Sequence, residues 1–248
     1  MRRRLLVAVA VLVAAAAAGG GWAASRSSTP RLTVFAAASL TDVLPQIDPH
    51  ERYSFAGSNA LAAQIEQGEP ADVFASANTS LPQQLYGEGL VSKPVVFTAN
   101  ALVLIVPHGN PGHLHGVYDV TRPGLKVVVG AAGVPVGDYT RKVLAALHLS
   151  SVVAHAASQE TDVREVLAKV ALGEADAGFV YATDAKTVAG KVAVFPIPPS
   201  AQPRVEYAAA VVKTSAHKTA ARNFLRRLLS RQGQGKLRTA GFLALPKP

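Results

Sequence analysis

Val34-Phe35-Ala36-Ala37-Ala38-Ser39-Leu40-Thr41-Asp42 reads as a buried strand that ends in small residues and turns, at a serine, into a helix. A serine-capped turn of this kind presents a hydroxyl and unpaired backbone N–H groups, a favourable seat for an anion. The same pattern returns at Phe55-Ala56-Gly57-Ser58-Asn59-Ala60-Leu61, where a second strand-like run gives way to a serine and a helical stretch. Two such turns so close together point to one shared site.

Working outward, short apolar runs alternate with helical ones, which indicates an α/β chain of parallel sheets covered by helices. Strands are expected at Leu32–Ala37, Tyr53–Ala56, Val73–Ala75, Ala101–Val106, Lys126–Gly130, Val152–Ala156, Ala177–Val180, Val192–Phe195 and Tyr207–Val212. Helices are expected at Ala60–Gln67, Thr140–Leu147, Val163–Leu172 and Lys218–Ser230, each with an apolar face at helical spacing. Pro45 and Pro49 should stop the first helix at about Leu44. Turn-rich stretches at His108–Gly112 and Pro196–Ser200 divide the chain. If it enters a second lobe near Ala99 and returns near Tyr207, two strands cross between lobes and form a hinge. The expected units are then 31–98 and 207–248 in one lobe and 99–206 in the other.

The start of the chain has another purpose. Arg2, Arg3 and Arg4 precede an apolar run from Leu5 to Ala18 and a small-residue stretch to Ala24. Residues 1–24 therefore read as an export signal, the alternative being a retained anchor, since the run is just long enough to span a bilayer. The chain is expected outside the cytoplasmic membrane, free or anchored on its outer face. It contains no Cys, which excludes thiol catalysis, thiolate metal sites and a lipid-modified cysteine. The formal charge of +9 falls to about +6 without Arg2, Arg3 and Arg4, enough to favour anions. The basic residues of the last helix lack interleaved aromatics, so they read as a solvated face and not as a nucleic-acid surface. His108, His113, His115, His148 and His155 show no metal-ligand spacing.

Two further helix starts and one strand end complete the pattern. Gly133-Val134-Pro135-Val136-Gly137-Asp138 places Pro at a helix entrance, and Glu160-Thr161-Asp162-Val163-Arg164 puts Thr and Asp ahead of an apolar helix. Each helix start offers unpaired N–H groups and about half a positive charge. Four aimed at one cleft would solvate a dianion without any Lys or Arg. Gly178-Phe179-Val180-Tyr181 ends a strand with a phenol able to donate into the same cleft. Taken singly, each has a plainer reading: serine caps, apolar helix residues, a half-buried tyrosine. Asp72, Asp162 and Asp184 read as caps or structural residues.

At these positions the chain resembles the periplasmic molybdate-binding proteins, the substrate receptors of molybdate importers. The resemblance runs from about Leu32 to the C-terminus, through Val34–Asp42, Phe55–Ile65, Pro70–Ala77, Val134–Gly137, Thr161–Leu167 and Gly178–Ala185 in order. It implies a type II two-lobed binding protein of the Venus-flytrap kind, with a mixed sheet in each lobe and a two-strand hinge. It also implies a tetrahedral oxyanion held by neutral donors alone. Ser39 and Ser58 would each give a hydroxyl and a backbone N–H, Val136 and Val163 backbone N–H groups, and Tyr181 its hydroxyl. Family members often have Ala at the place of Val136, a change of little weight at a backbone contact. They often have an acid where Thr161 stands. Molybdenum would enter only as the bound oxyanion, molybdate or tungstate, with no cofactor. The partners implied are the membrane subunits of an ABC importer, served by a monomer.

The same residues admit other functions. A receptor for sulfate or thiosulfate would use a similar cleft. A secreted serine hydrolase would need Ser39 or Ser58 as nucleophile, yet neither lies in a G-x-S-x-G elbow or has an evident His–Asp partner. A tethered sensor or scaffold would bind the anion without transporting it.

Overall fold

Uninterrupted apolar runs mark strands covered on both faces, and in this chain they sit at the centres of two sheets. The computed structural model describes residues 30–245, so the leader read at residues 1–24 lies outside them. The described elements are β1 (Thr33–Ala37), α1 (Leu44–Ile47), β2 (Arg52–Ala56), α2 (Ser58–Glu66), β3 (Val73–Ser76), α3 (Ser80–Gly87), β4 (Val95–Asn100), β5 (Leu102–Pro107), β6 (Val127–Gly130), α4 (Pro135–Ala146), α5 (Ser151–Ala154), β7 (Ser158–Glu160), α6 (Val163–Ala171), β8 (Ala177–Tyr181), α7 (Ala182–Thr187), β9 (Val192–Pro196), β10 (Val205–Val211), α8 (Lys218–Leu229) and α9 (Arg231–Ala240).

The first sheet has the order β2-β1-β3-β10-β4, the second β7-β6-β8-β5-β9. Each is mixed. β1 runs parallel to β2 and β3, and β10 antiparallel to β3 and β4. In the second sheet β6 runs parallel to β7 and β8, while β5 is antiparallel to β8 and β9. The inner strands β3, β6 and β8 are buried throughout, whereas the edge strands β2 and β9 include exposed residues.

The chain passes from the first sheet to the second at Ala101, and returns between Pro196 and Val205. The two crossings are tied together. The Gln202 side chain donates to the Leu102 carbonyl and accepts from the Leu102 N–H, both at 2.9 Å. Asn100 turns back to accept the Ala101 N–H at 2.9 Å.

Several expectations need correction. The Val152–Ala156 run is not a strand: Ser151–Ala154 forms α5, and the strand follows as β7. A short apolar run cannot by itself separate strand from helix, and β7 is hard to see because Ser-Gln-Glu is a polar edge. Pro45 does not stop a helix. It stands in the first turn of α1, where its missing N–H has no intrahelical partner to lose. β4, α3 and α7 lie outside the elements expected from the sequence.

Candidate functional site

In the first half the site is built where β1, β2 and β3 end. Ser39 lies within a single 3-10 turn, Ala38–Leu40, and Ser58 is the first residue of α2 with Gly57 as its N-cap. Neither serine caps its helix, contrary to the sequence reading. Because Ser58 is already helical, its Oγ lies beside the helix start and accepts the Ala77 N–H at 3.1 Å, joining α2 to the end of β3. Ser39 Oγ shares a 2.8 Å hydrogen bond with Tyr207 Oη.

In the second half, α4 begins at Pro135 as expected and packs on the end of β6 through two glycines. A Cβ on Gly137 would lie 2.2 Å from the Ala131 carbonyl oxygen, and one on Gly130 2.7 Å from the Gly137 nitrogen. Only bare Cα atoms allow this approach, which sets the position of the Val136 amide. At α6 the cap is Asp162 and not Thr161: Asp162 Oδ1 accepts from Arg164 N at 2.6 Å and Glu165 N at 3.1 Å. That choice leaves the Val163 N–H, first in the helix, outside the cap. Thr161 instead donates its Oγ1 hydroxyl and its N–H to Glu165 Oε2, both at 2.8 Å, holding that carboxyl below its ordinary range.

These pieces meet at one cavity between the halves. Its lining comprises Ala37, Ala38, Ala56, Gly57, Ser58 and Ala77 from one side, and Val134, Pro135, Val136, Asp162, Val163 and Tyr181 from the other. Four of the five singled-out residues, Ser58, Val136, Val163 and Tyr181, line it directly; Ser39 is buried behind Ala38 with its hydroxyl on Tyr207. The lining includes no Lys, Arg or His, and its one ionisable acid, Asp162, is the α6 cap. Its volume is about 10 Å³, far below the range of pockets for drug-sized ligands. Sugars and peptides do not fit such a space.

Tyr181 is the decisive side chain. It is 1 % exposed, and among the described residues its hydroxyl has no hydrogen-bond partner. Burial holds its pKa well above the ordinary value, so it is a neutral donor. A buried polar group without a partner is costly and needs an explanation. Edge-to-face contacts with Tyr139 at 6.4 Å and Tyr207 at 5.8 Å fix the ring. Behind it, Asn100 Nδ2 donates to Thr183 Oγ1 at 2.8 Å and to Tyr207 Oη at 3.4 Å. Sequence reading missed Tyr207 and Asn100 as supports of the site. The available signal was a tyrosine inside a buried strand, whose hydroxyl must find a partner.

The site's rim carries charge. Arg164 reaches Asp42 of the first half, Nη2 to Oδ2 at 2.5 Å, and Asp184 of its own half, Nε to Oδ1 at 2.8 Å. Asp184 is therefore no simple cap, as the sequence had suggested. It is a fully buried ion-pair partner whose contact with Arg164 is close yet too bent to count as a hydrogen bond. Burial pushes its carboxyl up to about 7, against the opposing pull of Arg164. Burial also works against charge on Arg164, but its two carboxylates raise its pKa overall. No group of acids and histidines that could hold a metal ion occurs among the described residues.

A family model described as "Bacterial extracellular solute-binding protein" matches residues 32–243. The chain belongs to the bacterial extracellular solute-binding proteins. It is similar to a "Molybdate-binding protein ModA" of Mycobacterium tuberculosis, 39 % identical over 223 residues, covering 85 % of this chain and 84 % of that one. A protein of the same description from Haemophilus influenzae is 34 % identical over 237 residues, covering 89 % and 92 %. Among solved structures, the Azotobacter vinelandii periplasmic molybdate-binding protein superposes with a TM-score of 0.78 at 23 % identity, covering 88 % of this chain and all of that one, 100 %. This solute-binding protein thus has the two-lobed periplasmic binding-protein fold, with a mixed sheet in each lobe. It is exported and is not an enzyme. Ser39 Oγ is bonded to a tyrosine and Ser58 Oγ to a backbone amide, and among the described residues neither is hydrogen-bonded to a histidine.

Proposed function

We propose that this solute-binding protein captures molybdate, and tungstate with it, outside the cytoplasmic membrane and delivers it to the membrane subunits of an ABC importer. The observation that carries the reading is the unpartnered Tyr181 hydroxyl, buried in a small cavity that helix starts surround and no basic side chain enters. The printed names of its relatives support the same ligand.

In this reading Ser58 and Tyr181 donate hydroxyls, and Ser58, Val136 and Val163 donate backbone N–H groups. Ser39 adds its backbone N–H and its hydroxyl. Since Asn100 donates to Tyr207 Oη, the Tyr207 proton points to Ser39 Oγ, which frees the Ser39 proton for the anion. The donors come from both lobes, units 31–98 with 207–248 and 99–206, so only the closed form supplies them all. The protein works as a monomer without a cofactor. Residues 1–24 serve as a cleaved signal or as an anchor to the outer face of the membrane.

Selectivity follows from the donor set. A protonated phosphate needs an acceptor for its O–H, and the one carboxylate of the lining is occupied in capping α6. Sulfate has its oxygens closer in, so fewer donors reach hydrogen-bond distance. Calorimetric titration with molybdate, tungstate, sulfate and phosphate is the test. Molybdate at a hundred times its Kd should raise stability by about 2.7 kcal/mol, with phosphate inert. Tighter binding of sulfate than of molybdate overturns the reading.

A further inference from the structure

We propose that Asp42 and Arg164 form a latch that holds the two halves together over the anion, with Asp184 as the fixed post that aims Arg164. The inference rests on the cleft being an anion receptor. Arg164 has two carboxylate partners, and they differ in what happens when the halves separate. Asp184 lies in α7, in the same half as Arg164, and is fully buried, so that contact travels with it. Asp42 lies in the other half, in the turn after β1, with its side chain 53 % exposed. Water can reclaim Asp42 on opening at little cost, whereas Arg164 keeps its contact with Asp184 in both states. One permanent contact and one breakable contact are what a latch requires.

The placement supports this role. Arg164 follows Val163 directly, so the ion pair and the proposed anion-binding amide sit on the same helical turn. That turn meets the first half at a second point, where the bare Cα of Gly57 faces the Thr161 carbonyl and a Cβ would lie only 2.3 Å from its oxygen. Closure therefore brings together Gly57, Thr161, Asp42 and Arg164 in one step. A partly exposed ion pair has modest strength, which suits a contact that must release.

The chain's lack of Cys permits a direct test. Cysteines introduced at the exposed Gln67 and Ala145, one per half, carry a dye pair that reports the open–closed distribution by single-molecule energy transfer. Asp42→Asn should move this distribution toward open, weaken molybdate binding two- to tenfold and speed molybdate release, and Asp42→Glu should restore part of each effect. If Asp42→Asn matches the parent with and without sodium molybdate, the latch is overturned. A parent that ignores molybdate while Asp42→Asn still opens it would leave the latch standing and reject the ligand assignment.

Discussion

A buried hydroxyl without a partner in the protein destabilises the chain that carries it, unless a ligand completes it. Tyr181 is in that position, and the consequence can be measured in both directions. Tyr181→Phe removes an unsatisfied group, so the ligand-free protein should melt no lower than the parent. Molybdate binding should weaken by about 1.5–3 kcal/mol, the usual worth of a hydrogen bond to a charged group, or roughly tenfold to a hundredfold. Calorimetry and a thermal melt on the same sample check both halves. At this scale the sequence was legible for Tyr181, because a strand that ends in a phenol between apolar neighbours is conspicuous. It was silent on Tyr207, whose partner Ser39 is 168 residues away; no local pattern encodes such a pairing. The role of Asp184 was hidden for the same reason, since its meaning comes from an arginine on a different helix.

Among the elements, helix starts do the chemistry and close backbone approach places them. Gly57 is informative because its φ of −57° is open to any residue, so its glycine character serves space and not conformation. Gly57→Ala should leave the ligand-free protein within about 1 kcal/mol of the parent, the scale of an N-cap change. The closed form would nonetheless be blocked by the Thr161 backbone carbonyl, which cannot swing aside as the neighbouring Asn59 side chain can. Molybdate affinity should fall at least tenfold, and a scattering profile with ligand should remain that of the open protein. Elements buried on both faces were readable from the chain, because β1, β3, β6 and β8 have nearly unbroken apolar runs. Elements at the margins were not. β7 is polar, and the α5 residues Val152 and Val153 look like strand until the packing decides.

For the molecule as a whole, Asp184 links stability to pH. Its folded pKa of about 7 lies above the ordinary 3.8, so the native state holds that proton more tightly than the unfolded chain does. The resulting stability is fully present below about pH 4 and is lost as pH rises to about 7. Asp184→Asn keeps a neutral group at every pH. The stability of the parent relative to this variant should therefore decline between pH 4 and pH 7 and stay level above, as urea midpoints across that range would show. Of the two turn-rich stretches, Pro196–Ser200 coincides with the return to the first sheet, whereas His108–Gly112 lies beyond the outward crossing at Ala101, and what joins the halves was not legible. Gln202 sits in an unremarkable Pro-rich segment, and only the folded chain shows it clasping Leu102.

That clasp has a mechanical outcome. A side-chain amide that mimics a strand partner ties the two connecting segments at a single point, about which the halves would turn. Tyr181 pairs directly with Leu102 across the second sheet and so lies near the pivot, where arcs are short. The amides of α6 and the start of α2 sweep the long arcs. An arriving ion would accordingly find the phenol already in place, and the outer amides would swing in last, like a door whose handle travels farther than its hinge.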